Sequence, residues 1–495
     1  MSFLSKRGFV ALVLGFVIGV PARASQPFDS SKVKFRTNLR AGPKQAIEHA
    51  REVVQKTPEF ALWDGNTKIV PSRVGFLYRI ERAERDRILI SMPSQGLLGW
   101  VPRDSVVEYN QAESFFTTQL DLGESTSFAH LMRAIVCQDN DHLDRSFADL
   151  DEAIRLDPRN VSAWIERAFL WQLRNRMDLA MADVSKAIQA DPRAGEAYVE
   201  RGVFHYCLKQ YREAFSDLER AAESGSRSVF VPLTKGLMFL ERKELDDAEA
   251  EFRRAILVDP KNSDAFLAIG TIQLMRSHPT EAVTTFSHAI QLEPEKADAY
   301  GGRATAYLAL GQNKAALQDL NNAIRIDPAQ PENLRNRGTV YSYLGEWNQA
   351  LADLETAVRI APNDIESQQV RAWMLATCPE ARLRNGSKAV ASATRACELT
   401  QWKVAYPMAA LAAAYAESGD FNSAVKWQQR AIELAPEHDP ASRTYRIALE
   451  RYRARKPYHR LGVFEEWGLR KYQPVAKASG DNSVRKASGT TSNQP

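Results

Sequence analysis

Cysteine and histidine are scarce in this chain, four and eight among 495 residues. The histidines stand apart, without the spacing of a metal-ligand set, so the sequence assigns no metal ligand and no cofactor. Gly-x-Ser-x-Gly, a phosphate-binding glycine loop and His-Glu-x-x-His are all missing. No catalytic residue is therefore assigned, and the chain reads as non-enzymatic. Long hydrophobic runs are missing too: the uncharged stretch Phe9 to Val20 has twelve residues, against the roughly 20 that a stable transmembrane helix needs. A surplus of one charge is also lacking. A formal net charge of +4 on a chain of this length argues against a nucleic-acid partner.

Lys6 and Arg7 precede that apolar stretch, and Pro21 with Ala22-Arg23-Ala24 follows it. This is the layout of a secretory signal peptide over residues 1–24, cut near Ala24, and it implies an exported chain, periplasmic or secreted. No cysteine follows the cut, which speaks against a lipid-anchored protein. Cleavage would remove three cationic residues and no acid, taking the net charge from +4 to +1. The remaining charge is uneven: from Arg443 to Pro495 there are twelve Lys or Arg against four acids.

What the chain has is a comb of prolines at 158, 192, 260, 294, 328 and 362, with Ser226 at the one missing tooth of a 34-residue ruler. Ala153, Ala187, Ala221, Ala255, Ala289, Ala323 and Ala357 stand five residues before the teeth. Leu150, Val184, Leu218, Phe252, Phe286, Leu320 and Leu354 stand eight before them. Trp164, Tyr198, Phe266 and Tyr300, and then Ala168, Gly202, Gly236, Gly270, Ala304 and Gly338, keep the same period. Two helices that cross closely need small residues at the crossing and bulky ones beside it, and proline cannot continue the second helix. The pattern resembles the tetratricopeptide repeat. The fold it implies is mainly α: a right-handed α-α superhelix, a solenoid of about nine repeats over residues 127–438. Each hairpin would bury its apolar face only against its neighbours.

Ahead of the array, short apolar runs divided by Gly, Pro, Asn and Asp predict five strands of a small all-β barrel over 57–112: 60–63, 74–79, 87–91, 97–101 and 106–109. Gly99-Trp100-Val101 followed by Asp104-Ser105-Val106-Val107 resembles the close of bacterial SH3-like domains. Residues 25–56 read as a polar linker, 439–456 as a polar helix capping the last repeat, and 457–495 as a basic, disordered tail. Arg371 to Pro379, Arg395 to Leu399, Trp402-Lys403, Leu411 to Phe421 and Lys456-Pro-Tyr458 resemble the C-terminal module of exported bacterial tetratricopeptide proteins of planctomycete type. Proteins of that group often carry an SH3-like domain before the array. The resemblance implies an architecture and no activity.

Arg133, Arg167, Arg201, Lys235, Arg303 and Arg337 recur once per repeat and could form a ladder for an anionic ligand. Sixteen residues after each lies an acid: Asp149, Asp183, Asp217, Glu251, Asp319 and Asp353. Where the base is lost the acid is lost as well, at Ile269 with Thr285 and at Leu411 with Trp427; only Arg371 with Ser392 breaks the rule. The pairing predicts salt bridges inside each hairpin. Asp139-Asn140-Asp141 with Asp144 lacks the glycine and distal glutamate of a calcium loop and reads as a turn with a helix cap. The four cysteines are expected to be free, because their spacing on the hairpins exceeds disulfide reach.

Family members line their groove with the first helix of each repeat. The matching residues here are Ile165, Phe169, Val199, Val203, Tyr206, Phe230, Leu233, Leu237, Leu267 and Leu274, followed further on by polar Asp298, Thr305, Glu332, Arg335, Thr339 and Ser342. Two readings of the apolar set stand side by side: a groove for a protein or peptide segment, or packing between adjacent repeats. Trp63, Phe76, Tyr78 and Trp100 pose the same choice in the barrel, core or ligand groove. The expected function is a protein-binding scaffold of the cell envelope. The alternative is an envelope-binding protein whose SH3-like domain or basic tail holds cell-wall or anionic material.

Overall fold

The computed structural model describes residues 52–56, 62–64, 67–69, 78–92, 97–123, 125–435 and 441–459. The expected signal peptide and nearly all of the expected linker and tail lie outside these residues, as does Phe76. The chain divides into two compact units. One holds the described residues through Met275 together with Thr284–Gly302, the other Arg276–Val283 and the residues from Arg303 onward.

The first unit opens with an antiparallel sheet of seven strands: β1 (Glu52–Gln55), β2 (Leu62–Asp64), β3 (Thr67–Ile69), β4 (Tyr78–Ala83), β5 (Arg87–Met92), β6 (Leu97–Pro102) and β7 (Val106–Glu108). Their order is β3-β2-β6-β5-β4-β1-β7. The sequence pattern missed β1, which lies inside the expected linker, and β3, which is short and polar. It also placed β4 four residues too early. Ile88 and Ile90 alternate inward on β5 and are buried with Tyr78 and Val101, the period of a half-buried strand. A bulge between Ile80 and Arg82 shifts the β4–β5 register by one residue. The strand β7 runs directly into a helix, Tyr109–Asp121, that the sequence reading did not contain. Ala112 and Phe116 of this helix are fully buried in a cluster with Leu131, Met132 and Leu150 of the first repeat.

From Ser127 the chain is a run of helical hairpins whose first helices begin at Ser127, Val161, Gly195, Phe230, Ser263, Ala297, Pro331, Ile365 and Ala405. The architecture is mainly helical, with consecutive tetratricopeptide-like packing behind a small antiparallel sheet. Second helices end at an aspartate in extended conformation, Asp157, Asp191, Asp259 or Asp327. Each of these carboxylates accepts the N–H two residues on, at 2.9 to 3.1 Å. The proline between then blocks any continuation of the helix. At the missing tooth Gly225, at φ +76°, ends the second helix instead, and the Ser226 hydroxyl donates to Glu196 at 2.9 Å.

The turn inside each hairpin also needs one left-handed residue. It falls on Asp141, Asn175, Lys209, Lys243, Ser277, Gly311, Gly345 and Gly419, at φ between 58° and 84°. Glycine occupies this place only from the sixth repeat onward. The eighth hairpin closes through a 3-10 turn at Ala381–Leu383, where the extra residues lie. Pro407 stands third in Ala405–Glu417, within the first turn, where the backbone N–H would have no helical partner.

After the last hairpin, Ser442–Arg453 packs Tyr445, Ala448, Leu449 and Tyr452 inward, and Tyr445, Ala448 and Tyr452 join the apolar cluster of the last repeats. The following segment does not leave the surface at once. Tyr458 is buried with its ring 6.1 Å from that of Trp373, and His459 lies 2.5 Å from Glu417.

Candidate functional site

The ladder of bases is formed as paired forks. Arg133, Arg167, Arg201, Arg303 and Arg337 each place two guanidinium nitrogens on the carboxylate sixteen residues on, and the Nε contacts measure 2.7 or 2.8 Å. The bidentate bond to the aspartate raises the pKa of Arg133, Arg167, Arg201 and Arg337 against the burial that would lower it. These cations are committed inside their hairpins and do not form a free anionic-ligand ladder.

Lys235 departs from the expected pairing. Its ammonium bonds Glu219 in the preceding repeat, with the Phe215 ring 5.1 Å away, while Glu251 takes Arg254 at 2.7 Å. A lysine has no fork to fix its partner, and the aromatic face draws it backward. Arg371 bonds the Ser392 hydroxyl, and burial lowers its pKa. All four cysteines are free.

The apolar set falls differently from a groove. Ile165, Phe169, Val199, Val203, Tyr206, Leu233, Leu237, Leu267 and Leu274 are all buried, none more than 9% exposed. Only Phe230 is partly open. Ile165 packs with Ala187 and Ala197, and Phe169 with Met132, Ile135 and Val136 of the preceding repeat. The Tyr206 hydroxyl donates to Glu241 at 2.7 Å. The first helices of repeats one to four touch one another in succession, so a large side chain at these places fills the seam between repeats. These nine are buried in this structure and form no exposed apolar strip. Tyr78 is likewise core, buried and donating to Gln55 at 3.2 Å. Trp100 is half-exposed, with the Arg87 guanidinium 4.5 Å from its ring centre.

In the second unit the open part of the first helices is polar. Arg335 reaches Asp364 at 3.1 Å. Glu332 and Glu366 occupy equivalent places one repeat apart beside this pair. Burial raises the pKa of both carboxyls against the pull of Arg335, and Asp364 adds to the rise at Glu366. The sequence pattern had marked Glu332 and Arg335 as polar, but it did not show that three acids share one arginine.

Family models of the tetratricopeptide repeat match residues 267–331, 305–375 and 406–438. Residues 267–375 and 406–438 thus match tetratricopeptide repeats, and the remaining hairpins pack in a like manner. No curated protein matches the chain. Similar solved structures include a tetratricopeptide repeat protein from Parabacteroides merdae, 17% identical over 53% of this chain and 97% of that one, with a TM-score of 0.37. YrrB, a TPR protein described as having an unusual peptide-binding site, is 21% identical over 44% of this chain and 95% of its own, with a TM-score of 0.25. PilW, a type IV pilus biogenesis factor, is 20% identical over 42% of this chain and 96% of its own, at a TM-score of 0.38. Among the described residues no helix is long and apolar enough to cross a membrane.

Proposed function

We propose that the chain is a non-enzymatic scaffold of the cell envelope, exported by its N-terminal signal, that holds protein partners on its tetratricopeptide array. The observation that carries this reading is the partly open polar surface of the first helices at 331–344 and 365–377. There Glu332, Asp364 and Glu366 gather around Arg335, while Arg337 and Arg371 are engaged by Asp353 and Ser392. Its backbone is held by the Arg337–Asp353 fork, so a partner segment meets side chains that are already placed. The chemistry favours a basic or amide-rich segment.

Affinity capture from envelope extracts, comparing the wild-type chain with a Glu332→Gln/Glu366→Gln variant, tests the reading. Loss of specific partners from the variant, with helical content unchanged, is expected. Capture of the same set by both proteins refutes it.

A second reading has its own support. Arg82 and Arg87 stand exposed beside Trp100 on the sheet, 6.0 and 4.5 Å from the ring centre, and share Glu84 at 3.4 and 2.7 Å, a solvent-exposed pairing that an anion can replace. This surface suits an anionic cell-wall or lipid headgroup, as the alternative envelope-binding role requires. Sedimentation with purified peptidoglycan or anionic vesicles, lost on Arg87→Ala, would favour it.

A further inference from the structure

The first repeat differs from all the others at the turn between its two helices. Cys137 lies in the last turn of the first helix, Ser127–Asp139, and His142 follows the turn. In the next repeats the same two places hold Trp171 and Arg176, His205 and Gln210, Phe239 and Glu244, and then Gln273 and His278. The neighbour here is also different, because the helix Tyr109–Asp121 brings Glu113 against the turn. Glu113 Oε1 lies 3.6 Å from Cys137 Sγ and 3.4 Å from His142 Nδ1. One ligand atom from each of the three residues falls within 4.8 Å of the others.

The two separations from Glu113 are those of two edges of a coordination polyhedron, and the third, between Cys137 and His142, lies within 4.8 Å. A tetrahedral ion with a sulfur at about 2.3 Å and oxygen and nitrogen at about 2.0 Å sets sulfur and oxygen about 3.5 Å apart, and oxygen and nitrogen about 3.3 Å apart. The set is also held in place. Asp141, at φ +64°, curls the chain so that the His142 N–H donates to the Cys137 carbonyl at 2.8 Å. Asn140 Nδ2 donates to the other Glu113 oxygen at 2.7 Å, which fixes the carboxylate as an outer-sphere partner does. Cys137 is fully buried, whereas His142 is 57% exposed. The site therefore has a closed floor and an open mouth for entry and for a fourth ligand from water.

We infer that Glu113, Cys137 and His142 form a binding site for a zinc-type divalent cation that clips the helix before the array onto its first repeat. One thiol, one imidazole and one carboxylate suit a borderline-soft tetrahedral ion and suit magnesium or calcium poorly. Binding takes the proton from the Cys137 thiol and releases it to solvent, and it requires His142 neutral, so affinity rises with pH. Burial and the Glu113 carboxylate push that thiol up to about 12, which the charge of the ion opposes. Arg145, 3.1 Å from the same Glu113 oxygen and 44% exposed, competes with the cation and must turn outward.

Titration of the chelator-treated full chain with Co2+, followed by Zn2+ displacement, tests the site. A thiolate-to-cobalt charge-transfer band saturating at one equivalent and bleached by Zn2+ is expected. Cys137→Ser abolishes the band, and Cys207→Ser and Cys378→Ser keep it. His142→Ala, at an exposed position that cannot unfold the core, weakens binding at least tenfold. Asn140→Ala weakens it about 10- to 100-fold, and Arg145→Ala tightens it. Absence of the band at one equivalent, its survival in Cys137→Ser, or unchanged affinity in His142→Ala overturns the assignment.

Discussion

The sharpest consequence of the packing concerns Gly302. A Cβ at this place would lie 2.6 Å from both Cε1 and Cζ of Phe286, and one at Gly270 would lie 2.8 Å from Cε1 of the same ring. Phe286 is fully buried, so its ring stands between two glycines and cannot retreat from one without meeting the other. Gly302→Ala gains about 1 kcal/mol from helix propensity. Against this, overpacking a core costs about 1–3 kcal/mol. With both walls fixed the cost falls in the upper part of that range, leaving a net loss of about 1–2 kcal/mol. Gly202→Ala is the milder comparison, because its Cβ would meet Leu218 Cγ and Cδ2 at 3.0 and 3.1 Å and the Ala214 carbonyl at 3.3 Å, and a smaller loss than that of Gly302→Ala is expected. Urea melts of both variants, with Gly302→Ala/Phe286→Leu as the double mutant, measure the difference. The double mutant should recover part of the loss, through a coupling of about 1 kcal/mol or more. A Gly302→Ala protein as stable as the wild type would refute the reasoning.

Arg303→Ala and Asp319→Ala should be non-additive in thermal melts, with a coupling of ~0.5 kcal/mol or more, whereas additive losses would remove the fork from the account of stability. Lys243→Gly should stabilise by about 0.5–1 kcal/mol, because it relieves a left-handed non-glycine residue; an unchanged or lower melting temperature would contradict this. Glu332 and Glu366 have raised folded-state pKa values. Their contribution is therefore best below the unfolded carboxyl pKa and is lost as pH rises through the folded value. Glu366→Gln, neutral throughout, should accordingly raise the melting temperature at pH 7.5 and not at pH 4, and equal effects at the two pH values would sink the idea.

The repeat register and the five arginine forks were legible because each rests on residues a fixed distance apart in one hairpin. Lys235 was misread because its choice between Glu219 and Glu251 depends on the Phe215 ring, which no periodicity reports. The apolar first-helix set was ambiguous for a deeper reason. A seam between repeats and a lined groove call for the same large side chains at the same period, and only the closeness of neighbouring helices decides between them. The cluster of Glu113, Cys137 and His142 was hidden because Glu113 belongs to no repeat. Its helix directly follows a strand, in a stretch the pattern had divided between the barrel and an interval before the array.

The forks also set how far a local opening spreads. Arg167 holds Asp183 in its own hairpin and Asp151 in the one before, and Arg337 bonds Asp353 and, in the preceding repeat, Asn321. Opening either hairpin strands half of such a junction, so two neighbours tend to open together, and amide exchange should report blocks longer than one repeat. At Ile269 and Thr285 the fork is replaced by hydrophobic and neutral side chains, and the buried Lys296 instead bonds Asp264 and Glu293 within the fifth repeat. That pairing stays inside one repeat, so the boundary between exchange blocks is expected to fall at that fifth repeat.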